Sequence, residues 1–521
     1  MVRGAENLSS PNVMMGFRGI PELEVGMTDA ALGEMASLQT LRHIVGPHRF
    51  FDDSQSLETY SRDYSFVHPI RPCCVVKPEN VEEVQAIVKW ANSTHTPLVP
   101  VSSGPPRFRG DTVAGVGGAV IVDLAAMKKI IRIDNRNRVA MIEPGVTFGQ
   151  LVDELRKEGL APFLPLVPRK SKSALASFLE REPITTPRHH WEAQDPLLCL
   201  EVIYGSGDLF RTGSAAGPGT IEEQWEVGRA QVRAMGPGQV DFVKLIQGAQ
   251  GTLGIATWAT IKCRRLPDVK KTFLVPSENL DRLIDFVYRL MWKKLGSDCL
   301  ILNAHNLAGI LAKDYEHIGV LRESLAPWVV VFSIEGAGLL PQQKAAYQEA
   351  EFIEVAQMFG LEPMTVVPRA RAEDVSTALS EPSAEPYWKL RFKGGCQDLF
   401  FLTTLDRSSE FAGKVYNLAG AYRYPAADIG IYVQPTVQGT NCHCEFTFSY
   451  DPQSPVETDR VKRFVADSSK ILSHMGAFFS RPYGCWADIA YGGSAETIIA
   501  LKKVKDIFDP NHIMNPGKIC F

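Results

Sequence analysis

Three stretches of the 521-residue chain carry side chains whose types and spacing could do chemistry. The first, VPVSSGPPRFRGDTVAG at residues 99–115, leaves an apolar run and enters a loop. There Ser102, Ser103, Gly104 and Gly110 flank two prolines and the guanidinium-bearing Arg107 and Arg109. Backbone amides pointing into a concave turn offer partial positive charge to an anion, and a loop that follows a strand is the usual place for a phosphate cradle. Each proline removes an amide donor, so Arg107 or Arg109 would supply the missing charge directly. The second stretch, IQGAQGTLGIATWATIKCRRLP at 246–267, spaces Gly248, Gly251 and Gly254 three apart before a β-branched run. The third is NCHCEFTFSY at 441–450. Read as a strand, it puts Asn441, His443, Glu445, Thr447 and Ser449 on one face and Cys442, Cys444, Phe446, Phe448 and Tyr450 on the other. The second face is core; the first is either a solvated sheet surface or the lining of a cavity that holds a histidine beside a carboxylate. With an ordinary pKa of about 6.5, His443 suits proton acceptance, with Tyr483 and Glu445 behind it. Arg391, in YWKLRFKGG, suits bidentate recognition of a substrate carboxylate.

The elements around these stretches follow from pattern. Residues 73–77 read as a short strand, Asn80 with Glu83 as a capping box, and Val84, Ile87, Val88 and Ala91 as the buried stripe of a helix. Pro97 starts a second strand that ends at the diphosphate loop, which makes a βαβ unit. Strands are expected at 119–124, 130–133 and 139–143, with a turn at 135–137 between the last two. Thr147 caps a helix after Pro144-Gly145. Strand, hairpin, tight turn and helix is an α+β order. Beyond about residue 268 helices and strands alternate as in a separate domain. At the end of the chain Ile498, Leu501, Val504, Ile507 and Phe508 form a helical stripe that Asp509-Pro510 stops.

Length argues for two domains, and 45% hydrophobic with 22% charged residues is a globular composition. A net charge of −4 supplies no general attraction to nucleic acid or anionic lipid. Residues 1–12 lack the apolar core of a secretory signal, and no run approaches the roughly 20 apolar residues that span a bilayer. A cytoplasmic location is expected. The ten cysteines lack the CxxC spacing of zinc or iron–sulfur sites, so reduced thiols are expected.

Taken together, RPCCVVKPENVEEVQAIVKWAN, VDLAAMKKIIRID, IEPGVTFGQL, GTLGIATWATIK and DPNHIMNPGKI, in that order, resemble the FAD-binding oxidoreductases of the vanillyl-alcohol oxidase and p-cresol methylhydroxylase superfamily. That superfamily includes glycolate oxidase subunits and D-lactate dehydrogenases. The resemblance implies an α+β fold, with a two-subdomain FAD-binding domain of the p-cresol methylhydroxylase type over residues 1–267. An α+β substrate-binding cap over 268–490 and a return to the FAD-binding domain over 491–521 would follow. It implies FAD, held without a covalent tether since no residue matches a tethering motif. It assigns Ser102, Ser103, Gly104, Arg107, Arg109 and Gly110 to the diphosphate. Pro144, Gly145, Gly251, Gly254 and Ile255 would lie along the rest of the cofactor, and Asn515 and Lys518 in the closing turn.

This chain also departs from the family pattern. KSKSALASFLEREPITTPRHHWEAQDP replaces a glycine-rich stretch expected near 170–190, where His190 could approach the flavin. RPYGCWADIAYGG stands in place of a second histidine motif, so no catalytic metal is expected. The same segment offers Arg481, Tyr483, Trp486 and Tyr491 to a phenolate, without the adjacent Tyr-Arg pair of the phenol-oxidising branch. The implied reaction is hydride removal from a hydroxy acid, an aromatic alcohol or a 4-alkylphenol to flavin N5, while a polar group takes the hydroxyl proton. Electrons would pass to a protein partner or subunit in a homo- or hetero-oligomer. An oxygen-using oxidase and an FAD-free scaffold subunit are the alternatives.

Overall fold

The computed structural model describes residues 29–187, 196–236, 238, 240–436 and 439–521, with side chains from residue 37 onward. Two units separate along the chain, Met1–Thr40 and Leu41–Phe521. The described part of the first is helical, and all the large sheets lie in the second.

The first sheet has four strands in the order Phe50–Phe51, Cys74–Val76, Val120–Asp123, Leu98–Val101, the last three mutually parallel. Between Cys74–Val76 and Leu98–Val101 runs the helix Val81–Thr94, which buries Val84, Ile87, Val88 and Ala91 as its spacing requires. Asn80 caps it through Glu83 N. The reciprocal half of the capping box is missing because the Glu83 carboxylate takes Glu79 N and Arg49 instead.

A second, antiparallel sheet runs Ile130–Asp134, Val139–Ile142, Gly254–Arg265, Leu197–Tyr204, Leu209–Arg211, with Leu160–Pro162 also paired to Gly254–Arg265. Gly254 is required here, since a Cβ would lie 2.5 Å from Ile203 O. Thr147 caps the helix Phe148–Lys157 by accepting from Gln150 N, as expected.

The third sheet is wholly antiparallel: Val269–Ser277, Trp328–Gly336, Cys299–Asn303, Ile429–Thr436, Asn441–Tyr450, Gly395–Thr403. One face of its Asn441–Tyr450 strand, from Cys442 to Tyr450 in steps of two, enters a core built with the helices Leu280–Trp292, Pro341–Met358, Ser408–Ala421 and Pro455–His474. Phe446 and Phe448 are fully buried there, each contributing roughly 1.5–3 kcal/mol.

At the C-terminus, helix Ala495–Phe508 departs from the expected stripe: Ile507 is exposed, and the buried residue is Lys505. Successive positions turn by about 100°, so Lys505 continues the face of Ile498 and Leu501 while Ile507 falls outside it. Lys505 is satisfied by Asp509 at 2.5 Å and by the carbonyls of Thr252 and Met514. The last turn then docks on the 99–115 segment, with Gly115 so close that a Cβ would lie 2.2 Å from Pro516 O.

Candidate active site

Two of the three sequence stretches meet in one cleft. Its wall includes Ser102, Ser103, Asp111, Thr112, Pro144 and the run from Gly248 to Gly251. Glu180, Leu253, Gly254, Ile255 and the far-off Tyr483 also line it. Gly251 has φ +70°, and a Cβ on it would come within 2.4 Å of Pro100 Cγ, so only glycine permits the close approach that shapes the floor. Ser103 Oγ accepts from Ser173 N, and Ser173 Oγ donates to Pro144 O, which locks the loop to the Pro-Gly turn. Gly145 lies behind that wall, its amide on Met127 O and its α-carbon against three carbonyls. Asn515 and Lys518 are also behind it. Asn515 donates to the carbonyls of Asp111 and Gln250, and Lys518 to Gly110 O.

Several expected contacts do not lie on the cleft. The Gly104 amide is used by Ser171 O and the Gly110 amide by the Asp63 carboxylate. The Arg107 guanidinium turns away to donate to Thr59 O and to lie 4.6 Å from the Tyr60 ring centroid, so it braces the loop from outside. Arg109 crosses into a neighbouring cavity, because Asp398 at 3.3 Å and the Phe400 ring hold it there. His190 falls outside the described residues.

That neighbouring cavity is lined by five cationic side chains, Arg109, Arg169, Lys172, Lys389 and Arg481, and three acidic ones, Glu182, Asp398 and Glu445. Strand register builds it. Asp398 pairs with Thr447, Phe400 with Glu445, and Tyr432 with Glu445 from the other side, which puts them all on one sheet face. The expected face of the Asn441–Tyr450 strand is therefore a cavity wall. Lys389 bridges Asp398 at 2.8 Å and Glu445 at 2.5 Å. Burial opposes the Glu445 charge, yet Lys389 wins and holds its pKa well below the usual carboxylate range. Glu182 is likewise drawn down to about 2 against its burial, chiefly by Lys172. Arg169 donates to Gly104 O and Arg481 faces His443; neither has a carboxylate partner among the described residues.

Two sequence assignments change here. Arg391 is outside the cavity, with its donors spent on the carbonyls of Pro386, Ala312 and Ala384. Its neighbour Lys389, in the same 3₁₀ turn Trp388–Arg391, faces inward instead. His443 is only 1% exposed and stands behind the wall, between Glu445 and Arg481, while Glu445 reaches the cavity. Tyr483 lines both the cleft and a third, mainly apolar chamber beside Arg109, with Phe66, Val67, Val465 and Trp486. The residues missed in the sequence, Arg169, Lys172, Glu182, Lys389 and Asp398, carried one local signal: alternation in the Gly395–Thr403 strand sets Asp398 and Phe400 on one face.

The segment that carries Arg481 and Tyr483 is held at two points. Phe478 and Leu402 exchange backbone hydrogen bonds, and Gln250 Nε2 donates to Pro482 O from the cleft wall.

Residues 72–213 match the model of an FAD binding domain, and residues 436–519 that of the C-terminal domain of FAD linked oxidases. The two matches bracket the cleft and the charged cavity. The chain is an FAD-linked oxidoreductase. This flavoprotein is 26% identical to the glycolate oxidase subunit GlcD of Bacillus subtilis, over 92% of this chain and 96% of the relative. It is 23% identical to the D-2-hydroxyglutarate dehydrogenase of Stutzerimonas stutzeri, over 95% and 99%. A crystal structure of p-cresol methylhydroxylase with substrate bound superimposes with a TM-score of 0.81 at 20% identity, over 95% of this chain and 98% of that one. That last likeness concerns the fold.

The cleft suits FAD on its own chemistry. Thr112 Oγ1 and Glu180 Oε2 are buried polar atoms of the wall with no hydrogen-bond partner among the described residues, as a cofactor rich in hydroxyl, amide and phosphoryl groups requires. Burial raises the pKa of Asp111 and of Glu180, against the pull of Lys172, which disfavours their negative charge in the cleft.

Proposed function

We propose that this flavoprotein is a dehydrogenase acting on a carboxylate-bearing alcohol of the 2-hydroxy acid type, with electrons passed to a protein acceptor. The two N-terminal sheets and the C-terminal turn form its FAD-binding half and the third sheet its substrate cap. The carrying observation is the charge of the cavity beside the cleft: two buried guanidiniums, Arg169 and Arg481, have no carboxylate within ion-pairing distance among the described residues. An uncompensated buried cation is costly unless a ligand anion completes it. The full-length likeness to relatives named for glycolate and D-2-hydroxyglutarate supports this reading. That the first of these is named a subunit supports a partner.

Bound FAD supplies the hydride acceptor. The chain does the rest. Ser102, Ser103, Thr112 and the Gly248 to Gly251 run hold the cofactor, and Asn515 and Lys518 brace the loop behind it. Arg481 and Arg169 take the carboxylate. Of the residues nominated for the hydroxyl proton, Glu445 is the one on the charged cavity; held ionised by Lys389, it orients the hydroxyl hydrogen and takes the proton as the hydride leaves and the oxygen becomes strongly acidic. Tyr483 closes the cleft against the apolar chamber and excludes water there.

A second reading, a 4-alkylphenol substrate, is favoured by that apolar chamber next to Tyr483 and Arg109. Anaerobic mixing of the holoenzyme with a panel of 2-hydroxy acids and 4-alkylphenols decides between them. Bleaching of the flavin band by hydroxy acids is expected; bleaching by phenols alone overturns the first reading. Oxygen uptake measured against dye reduction then separates oxidase from dehydrogenase.

A further inference from the structure

His443 joins two groups of opposite charge through its two ring nitrogens. Nε2 lies 3.2 Å from Glu445 Oε2, and Nδ1 lies 3.4 Å from Arg481 Nη2. A guanidinium has no acceptor, so the nitrogen facing Arg481 must present its lone pair. The ionised carboxylate has no donor, so the nitrogen facing Glu445 must carry the hydrogen. Both ends demand the same species, the neutral Nε2–H tautomer. Burial, which pushes the His443 pKa down, favours it as well. The ring is walled in by Phe400, at 5.7 Å between centroids, and by Tyr432 at 5.6 Å.

The far end of this chain of contacts is equally fixed. Glu445 Oε1 is held by Lys389 at 2.5 Å, and Lys389 is shared with Asp398. Glu445 is thus anchored by Lys389 and separated from Arg481 by an uncharged ring. Arg481 lies over the Phe400 ring at 4.1 Å and is positioned without being neutralised.

We propose that His443 is a positioning residue: a neutral imidazole that carries the anchorage of Glu445 to the Arg481 guanidinium while leaving the guanidinium's charge free for a substrate anion. The inference rests on the proposal that Arg481 meets the substrate carboxylate, and it replaces a proton-accepting role for His443. A proton arriving at Nδ1 would set a cation against Arg481, so that atom is closed to proton transfer.

Two substitutions divide the ring's functions. In His443→Asn the amide oxygen takes the place of Nδ1 and can still accept from Arg481; in His443→Leu neither contact survives. With the holoenzyme and oxalate as probe, binding is read from the shift of the flavin spectrum, and KM and kcat come from dye reduction by a 2-hydroxy acid. His443→Leu is expected to raise the oxalate Kd and the KM by about 30-fold or more with kcat changed less than about threefold, as for loss of a buried charged contact. His443→Asn is expected to recover most of that loss. Equal defects in the two variants, or a fall in kcat with KM unmoved, overturn the proposal.

The wild-type protein provides an independent readout. In 15N-histidine-labelled protein the His443 signals, assigned by their loss in His443→Asn, must show a bare Nδ1 and a protonated Nε2; the opposite tautomer or an imidazolium overturns the inference whatever the substrate is. If wild-type protein neither binds oxalate nor is reduced by hydroxy acids, the substrate reading itself fails. If it does both and Arg481→Gln abolishes both while His443→Leu changes neither, the substrate reading stands and the role of His443 falls.

Discussion

Arg109 Nη1 lies 3.3 Å from Asp398 Oδ2, across 289 positions of sequence, and ties the loop that leaves the first sheet to the edge strand of the third. Burial opposes the Arg109 charge, but Asp398 and then Glu445 outweigh it and raise its pKa above the ordinary value. This pair draws a residue that reads as a diphosphate ligand into the charged cavity. Arg109→Met is therefore expected to leave FAD affinity within about threefold of wild type while destabilising the fold by about 2–3 kcal/mol, since Lys389 still covers Asp398. Flavin titration of apoprotein with thermal unfolding checks this; loss of FAD binding without loss of stability would return Arg109 to the cofactor.

The inward Lys389 and outward Arg391 make opposite predictions. Lys389→Met leaves Asp398 and Glu445 buried without their shared cation and should cost about 3–5 kcal/mol. Arg391→Met removes three contacts to carbonyls and should cost about 1–3 kcal/mol without a change in oxalate affinity. Denaturant melts and oxalate titration of both variants measure the difference. A lower oxalate affinity in the Arg391 variant would reinstate it as an anion ligand.

Gly251→Ala should strip the protein of flavin. The added Cβ would stand 2.4 Å from Pro100 Cγ, at a φ of +70° that alanine disfavours, on the cleft floor. Gly117→Ala, in the same half of the chain but with open space around its α-carbon, is the control. The absorbance ratio of flavin to protein after purification reads the result, and equal ratios would show that the cleft tolerates a changed floor.

His305 predicts an acid-sensitive step in stability. It is buried and stacked on Phe392 at 4.1 Å, and burial pushes its pKa down to about 4. Between that value and the unfolded pKa of about 6.5 the unfolded chain binds more protons, so stability falls as pH drops through this window, by at most about 3 kcal/mol. His305→Phe should flatten that loss, seen as a smaller change in Tm between pH 6.5 and 4.5. An unchanged slope would assign the acid limb to other groups.

Much of this protein is written locally. The caps at Asn80 and Thr147, the buried stripe of Val81–Thr94 and the two faces of Asn441–Tyr450 follow from short-range hydrogen bonding and the periods of helix and strand, which need no knowledge of the rest of the chain. The same holds for the glycines at 251 and 254, whose residue type already declares a close approach.

Which way a long charged side chain points is a different kind of question. Arg107 and Arg109 sit two residues apart in one loop, yet one braces the helix Ser54–Ser61 and the other meets Asp398; Lys389 and Arg391 share one turn and face opposite ways. Some of the partners that decide these outcomes lie tens to hundreds of residues distant, such as Thr59 for Arg107, Asp398 for Arg109, Glu445 for Lys389 and Ala312 for Arg391. A buried charge settles wherever the folded chain brings an opposite charge or a carbonyl to meet it, and that meeting exists only in three dimensions.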